Sequence, residues 1–420
     1  MRVLRRVYSA LTAPFRPASP VPPLCDWNLN PSIHPVEASH GYAGHLVDTQ
    51  GRDYIDVLSA WGANILGYGY PRVAQAVAAQ ARRFEGVGIP YQEFWELGKL
   101  LCRVIPCAEV VRYGKNGSDA TMGAVRLARA ITHRERVLHR GYHGFHDWWM
   151  AGTSCQGIPA ALRELISPLP DFMPEAVDLA FRERPGQIAC IIMDPMLPPI
   201  PTADAVREVM EIAHRHGALM IFDEMVSGMR VAPGGMQEVW GVTPDAACFG
   251  KCVANGLPLS VLAGREEHMR HLGLVNYGMT FEGEAISIAA AMATVREILE
   301  KNVCGELARK GQFLKHEYAR LAGEFGIETS LAGADARPYL WFAGQNGIPE
   351  RELRWLLIQE MARRNVLTVG TFSLCFSHDE SDLRGIAAAF ESAMRHVHKA
   401  VARGSVRGLL DERLHKSMEM

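Results

Sequence analysis

Paired cysteines are missing from this sequence. Nine cysteines are spread over 420 residues, and the closest spacings, Cys102/Cys107 and Cys248/Cys252, are not CxxC pairs. An odd number without paired spacing argues against a disulfide framework and fits a reducing, cytoplasmic setting. Long apolar runs are missing as well. No stretch approaches the roughly 18 uninterrupted apolar residues that a membrane span needs. Charge of one sign is not in excess: Lys plus Arg is 44, Asp plus Glu is 46, and the formal net charge is −2. That balance leaves no global electrostatic footprint for nucleic acid. There is no repeat and no low-complexity block. No GxGxxG follows a strand, which argues against a nicotinamide enzyme. Residues 1–23 are Arg-rich and then Pro-rich. Arg2, Arg5 and Arg6 precede an apolar run too short and broken for a signal segment. An extended arm against the body or a partner subunit is expected there, with a membrane-surface helix as the sharper alternative.

What is present is a globular composition, 48% hydrophobic and 21% charged. The length predicts two or three domains, or one large domain with a satellite, at roughly 100–200 residues each. The middle of the chain alternates in texture. Residues 187–193 are an apolar run ending at Asp194-Pro195. Residues 203–216 place Val206, Val209, Met210 and Ala213 at helical spacing, and Gly217 stops that helix. Residues 218–222 form a second buried strand ending at Asp223-Glu224. Residues 246–249 form a third, ending at Gly250-Lys251. Strands apolar on both faces, separated by helices, predict a mainly parallel α/β sheet. Ligands bind outside the carboxyl ends of such strands, so Asp194, Asp223 and Lys251 belong to one expected cleft. An Ala-rich helix is predicted over 284–300. After about residue 305 helices mix with shorter strands at 339–342 and 366–369. A hairpin around Gly51, between His45 and Asp56, is expected to join that smaller unit.

Three features carry chemistry. Lys115-Asn116-Gly117-Ser118-Asp119 follows a short apolar segment and opens an amphipathic helix. Free N–H groups at such a turn favour a phosphate, although an ordinary N-cap by Ser118 or Asp119, which needs no ligand, is the plainer reading of the turn alone. Asp223 at a strand end suits a protonated heterocyclic nitrogen; a helix cap or an ion pair with Arg230 is the plainer reading. Lys251 at the end of a buried strand is a candidate amine nucleophile, and a snorkelling surface lysine is its plainer reading. Taken together, a phosphate turn, an aromatic, a strand-end Asp and a strand-end Lys are the parts a pyridoxal phosphate (PLP) site requires, in order. His139, His143 and His146 crowd one segment but lack the full ligand set of a zinc pattern, so no metal is expected. Cys248 and Cys252, flanking Lys251, read as small buried hydrophobes.

From about Gly51 to Leu383 the chain resembles the class III, fold type I aminotransferases, in the branch that contains glutamate-1-semialdehyde aminomutase. The matching stretches include Tyr54-Ile55-Asp56 with Trp61-Gly62, Gly67-Tyr68-Gly69-Tyr70-Pro71, Asn116-Gly117-Ser118-Asp119-Ala120 and Gly141-Tyr142-His143-Gly144. Further along come Phe222-Asp223-Glu224 with Gly228-Met229-Arg230, Gly250-Lys251, Gly256-Leu257-Pro258 and Thr280-Phe281-Glu282-Gly283. The resemblance implies a fold type I large domain at 66–304, a small α+β domain at 305–420, and an arm and joining segment at 1–65. It implies that Lys251 holds pyridoxal 5'-phosphate as a Schiff base and shuttles a proton, and that Asp223 partners the pyridine nitrogen. Gly117 and Ser118 bind the phosphate. Tyr142 stacks on one ring face, with His143 beside it among the cofactor-binding residues, and Met225 packs on the other. Thr280 reaches the cofactor of a neighbouring subunit in a homodimer, and Trp61 lines the substrate pocket.

The chain also departs from the family. Asp194-Pro195-Met196 stands where many members have Glu-Pro-Val, and Gly283-Glu284-Ala285 where Gly-Asn-Pro is usual. Residues 371–378 lack the arginine that clamps a substrate carboxylate in many members acting on α-amino acids. Gly370-Thr371 and the prolines at 198, 199 and 201 differ from the aminomutases. These departures favour an intermolecular aminotransferase; the resemblance alone implies an amino acid donor, glutamate or another common one. The expected acceptor is an aldehyde or ketone, sugar-like or polyol-like, in a biosynthetic pathway. The aminomutase is the alternative, and a non-catalytic PLP-fold binding protein a remote one.

Overall fold

The structure, a computed structural model, describes residues 37–153, 156–169 and 172–411. The Arg- and Pro-rich arm at 1–23 lies outside these residues. In chain order the strands are β1 Ala38–Tyr42, β2 His45–Asp48, β3 Asp53–Asp56, β4 Val110–Gly114, β5 Arg136–Arg140, β6 Ile166–Pro168 and β7 Ile188–Met193. They continue with β8 Leu219–Asp223, β9 Ala246–Phe249, β10 Ser260–Gly264, β11 Thr329–Ala332, β12 Tyr339–Phe342 and β13 Val366–Leu367.

The seven-stranded sheet runs β4-β10-β9-β8-β7-β5-β6. From β9 to β6 all neighbours are parallel. β10 is antiparallel to both β4 and β9. The mainly parallel α/β sheet anticipated from the apolar runs is therefore present. Every residue of β7 and of β9 is buried, and each large aliphatic side chain so removed from water contributes roughly 1.5–3 kcal/mol.

Helices cover this sheet. The Gly117–Thr132 helix packs on β7, β9 and β10, and the Ala203–Arg215 helix on β8. The second of these is capped as its sequence dictates. Thr202 Oγ1 accepts the Ala205 N–H at 3.3 Å, and Gly217 at φ +70° ends the helix. The Ala-rich helix spans Ala285–Glu300, with Glu284 as its N-cap accepting the Ile286 N–H at 2.6 Å.

A four-stranded sheet has the order β1-β2-β3-β13. β2 and β3 pair antiparallel around Gly51, which adopts φ +78°. β13 then lies parallel to β3, with Val366 opposite Ile55. This last strand is shorter than the apolar run 366–369 suggested, because the Thr368 hydroxyl accepts the Gly370 N–H at 3.0 Å and turns the chain.

Candidate active site

Parallel strands carry their C-terminal ends to one edge of the large sheet. β5 ends before Gly141, β7 before Asp194, β8 at Asp223 and β9 before Gly250-Lys251. A cavity of about 630 Å³ opens there. Gly117, Ser118, Tyr142 and His143 line one part of it, and Asp223, Met225 and Lys251 another. Thr280 and Trp61 do not line it within this chain. Thr280 is exposed. Trp61 is 42% exposed and sits in a left-handed run, while Ala63 faces the cavity instead.

The phosphate-type turn is tied down from two sides. Asp119 Oδ2 accepts the N–H groups of Lys115 and Asn116 at 2.9 and 2.7 Å. Ser118 Oγ accepts the Phe145 N–H at 2.9 Å, and Thr121 Oγ1 donates to His143 O at 2.8 Å. The Tyr142–His143 loop is thereby fixed against the first turn of the Gly117–Thr132 helix. Asp119 N–H bonds back to Asn116 O at 3.0 Å, while the Gly117 and Ser118 N–H groups have no intrahelical acceptor and carry the positive end of the helix dipole. Lys115 Nζ pairs with Glu284 Oε2 at 2.9 Å, so Glu284 both caps the Ala285–Glu300 helix and anchors the residue that precedes the turn.

Asp223 is buried, with Oδ2 2.7 Å from His143 Nδ1 and Oδ1 accepting the Met225 N–H at 3.2 Å. His143 stacks near Trp148, with ring centroids 6.2 Å apart, and its Nε2 has no partner. Arg230, the plainer partner for Asp223, is spent on backbone carbonyls. Met225 sits between the glycines of two elements. A Cβ on Gly117 or Gly250 would come within 2.9 or 2.6 Å of its sulfur. Side chains at those positions would fill this part of the cavity.

Lys251 follows Gly250 and adopts φ +43°, a left-handed conformation costing roughly 1–2 kcal/mol. Strain of that kind collects at functional positions. Burial, and after it the Arg337 guanidinium, hold its amine below the ordinary lysine pKa. A larger share of free amine makes it a better nucleophile. Burial and the neighbouring Asp223 charge push Asp194 up.

Arg337 also lines the cavity. It was not legible as a site residue. It stands ahead of β12, more than thirty residues earlier in sequence than the 371–378 segment that it meets in space. Only its place directly before an apolar strand hinted at it. Among the described residues, no cluster of His, Cys, Asp or Glu is arranged to hold a metal ion. Cys248 and Cys252 are buried.

A helix N-terminus with open N–H groups, a buried Asp, a desolvated Lys and an aromatic side chain fit pyridoxal phosphate part by part. Such a sheet with such an edge defines a PLP-dependent transferase of fold type I. The chain belongs to the class-III aminotransferases, whose family model matches residues 30–325. It is 33% identical to a 3-aminobutyryl-CoA aminotransferase of Cloacimonas acidaminovorans, over 89% of this chain and 92% of that protein. It is 34% identical to a glutamate-1-semialdehyde 2,1-aminomutase of Methanothermobacter thermautotrophicus, over 74% of this chain and 78% of that one. The FumI protein of Sphingopyxis sp. MTA144, solved in its PLP-bound form, superposes with a TM-score of 0.81 at 25% identity, over 87% of this chain and 89% of that one. The protein is thus an enzyme of this family, and its cofactor is pyridoxal phosphate. Among the described residues no helix is long and apolar enough to cross a membrane.

Proposed function

We propose that the enzyme moves an amino group from an amino acid donor, glutamate in the first instance, to an aldehyde or ketone acceptor of sugar-like or polyol-like character in a biosynthetic pathway. The observation that carries this reading is the convergence of Lys251, Asp223 and the Gly117-Ser118 turn on one cavity. Pyridoxal phosphate supplies a carbonyl that condenses with amines and a protonated ring that draws electrons from the substrate carbon. Lys251 holds the cofactor through its amine. The same Lys251 amine, when free, would take a proton from the substrate carbon and return it as general acid. Asp223, steadied by His143, keeps a proton on the ring nitrogen. The Gly117 and Ser118 turn holds the phosphate. Tyr142 and Met225 confine the ring faces.

Thr280 and Trp61 are assigned to a homodimeric site, Thr280 reaching a second copy's cofactor and Trp61 bordering the substrate entrance. Their exposure in the single chain supports this, as do the exposed Phe145 and Phe281 on neighbouring loops. We assign residues 66–304 to the cofactor domain, 305–420 to the small domain and 1–65 to the joining arm, in a cytoplasmic enzyme.

An aminomutase is the second reading, favoured by the identity to the Methanothermobacter protein. The test is the visible spectrum of the holoenzyme during glutamate addition, followed by a panel of carbonyl acceptors. Bleaching of the yellow band by glutamate and its return with a sugar-like aldehyde or ketone are expected. Product from glutamate 1-semialdehyde alone, without a donor, would establish the aminomutase instead.

A further inference from the structure

We propose that Arg337 is the anion receptor of this cavity and that it takes a carboxylate of the amino donor. The proposal rests on the transamination reading and names the residue that recognises the donor.

Arg337 lies in Ala336-Arg337-Pro338, just ahead of β12, and lines the cavity together with Lys251 and Asp194. Its backbone N–H bonds to Ala334 O at 3.0 Å. Its Nε donates to Ser373 Oγ at 3.2 Å. Ser373 is itself buried and comes from the segment that lacks an arginine. One edge of the guanidinium is thus fixed in advance, and its outer nitrogens carry no hydrogen bond among the described residues. No carboxylate pairs with it there; Asp194 acts on it only through space.

The neighbouring Arg230 sharpens the imbalance. It is fully buried and donates to Gly62 O at 2.8 Å, Leu374 O at 2.9 Å and Ala336 O at 3.4 Å. It too has no carboxylate partner among the described residues. Two guanidiniums therefore neighbour each other without an ion-pair partner among the described residues, and of the two only Arg337 lines the cavity. Burial, and then the Arg230 charge, pull Arg337 down to about 10. A buried cation without an anion is unfavourable, and an arriving anion relieves that cost. A planar fork with both outer nitrogens open matches a carboxylate in two parallel hydrogen bonds. Asp194 and Asp223 already bring negative charge to the same cavity. A singly charged carboxylate therefore suits the wall better than a doubly charged phosphate ester.

The test is binding of glutarate, a dicarboxylate without an amine, to the holoenzyme. It is read by calorimetry and by the visible absorption of the bound cofactor. Wild type is expected to bind glutarate and to bind its uncharged diamide about 30-fold more weakly or worse. Arg337→Gln is expected to weaken glutarate by a similar factor. Arg337→Lys should recover part of the loss, since it returns the charge without the fork. In the half-reaction, Arg337→Gln should raise the half-saturating glutamate concentration far more than that of a donor amine lacking any carboxylate.

Equal affinity of wild type for glutarate and its diamide overturns the proposal without recourse to a variant. So does glutarate binding that is unchanged in Arg337→Gln with its cofactor band intact. Binding of inorganic phosphate in place of glutarate overturns the carboxylate assignment. Glutarate binding that depends on Arg337, in an enzyme that glutamate does not bleach, keeps the receptor and refutes the glutamate reading.

Discussion

His143 Nδ1 stands 2.7 Å from Asp223 Oδ2, and both side chains are buried. With the Met225 N–H on its other oxygen, the carboxylate is held from both sides on the cavity wall. Asp223→Asn removes the charge that keeps a ring nitrogen protonated. Turnover is expected to fall by about 10²-fold or more, measured as the single-turnover rate with glutamate. His143→Phe leaves the carboxylate in place but loosens it. A loss of about 10-fold is expected, as befits one charge-assisted hydrogen bond. A His143→Phe rate equal to wild type would remove the positioning role.

Lys251 combines a left-handed backbone with a depressed amine pKa. Lys251→Ala should abolish the yellow band's response to glutamate and reduce turnover by at least about 10³-fold. Its thermal midpoint should not fall, because the buried amine is removed while the left-handed backbone, equally strained with alanine, is unchanged. Differential scanning calorimetry of the cofactor-free proteins checks the second point.

Gly144 adopts φ +105°, and a Cβ there would run into the side chain of Ser118. Gly144→Ala should cost roughly 1–3 kcal/mol of stability. It should also weaken cofactor binding, because the Ser118 turn is displaced. Urea denaturation and fluorescence titration with pyridoxal phosphate read the two effects separately.

No side chain among the described residues bonds to either ring nitrogen of the buried His139, and burial, followed by the nearby His143, holds its pKa down to about 4. The unfolded chain protonates the same group near about 6.5. Below that pH the unfolded state binds more protons, so stability falls as pH drops from about 6.5 toward 4. The full shift is worth at most about 3 kcal/mol. His139→Phe should flatten this slope in urea denaturation at about pH 7, 6 and 5. His378, also held near about 4 by burial, leaves a residual slope. An unchanged slope in His139→Phe would assign the pH dependence elsewhere.

The sheet was legible where burial on both faces writes an uninterrupted apolar run, as in β7, β8 and β9. The Ala203–Arg215 helix was legible because Thr202 and Gly217 mark its ends. The antiparallel insertion of β10 between β4 and β9 was not. Strand order depends on partners distant in sequence, and Ser260–Gly264 carries no local mark of direction. Within the cavity, residues at strand ends and at the glycine turn were legible because their chemistry coincides with a break in apolar pattern. Arg337 escaped for the opposite reason. Its meaning comes from Ser373 and Arg230, which reach it across the fold. The second role of Glu284, as partner of Lys115, escaped in the same way.

The joining of early and late segments has a consequence for synthesis. Leu66 O accepts a bond from Ser377, 311 residues later, and His45 meets Asp382 across 337. A ribosome adding roughly 5–20 residues per second separates Leu66 from Ser377 by about 15–60 s. Through most of that interval β3 is a nascent edge without its β13 neighbour, and Arg337 joins the cavity only 271 residues after Leu66. Vitamin capture by the emerging polypeptide must therefore either wait for release or use a half-built seat. Chaperone occupancy is expected to concentrate on the first hairpin.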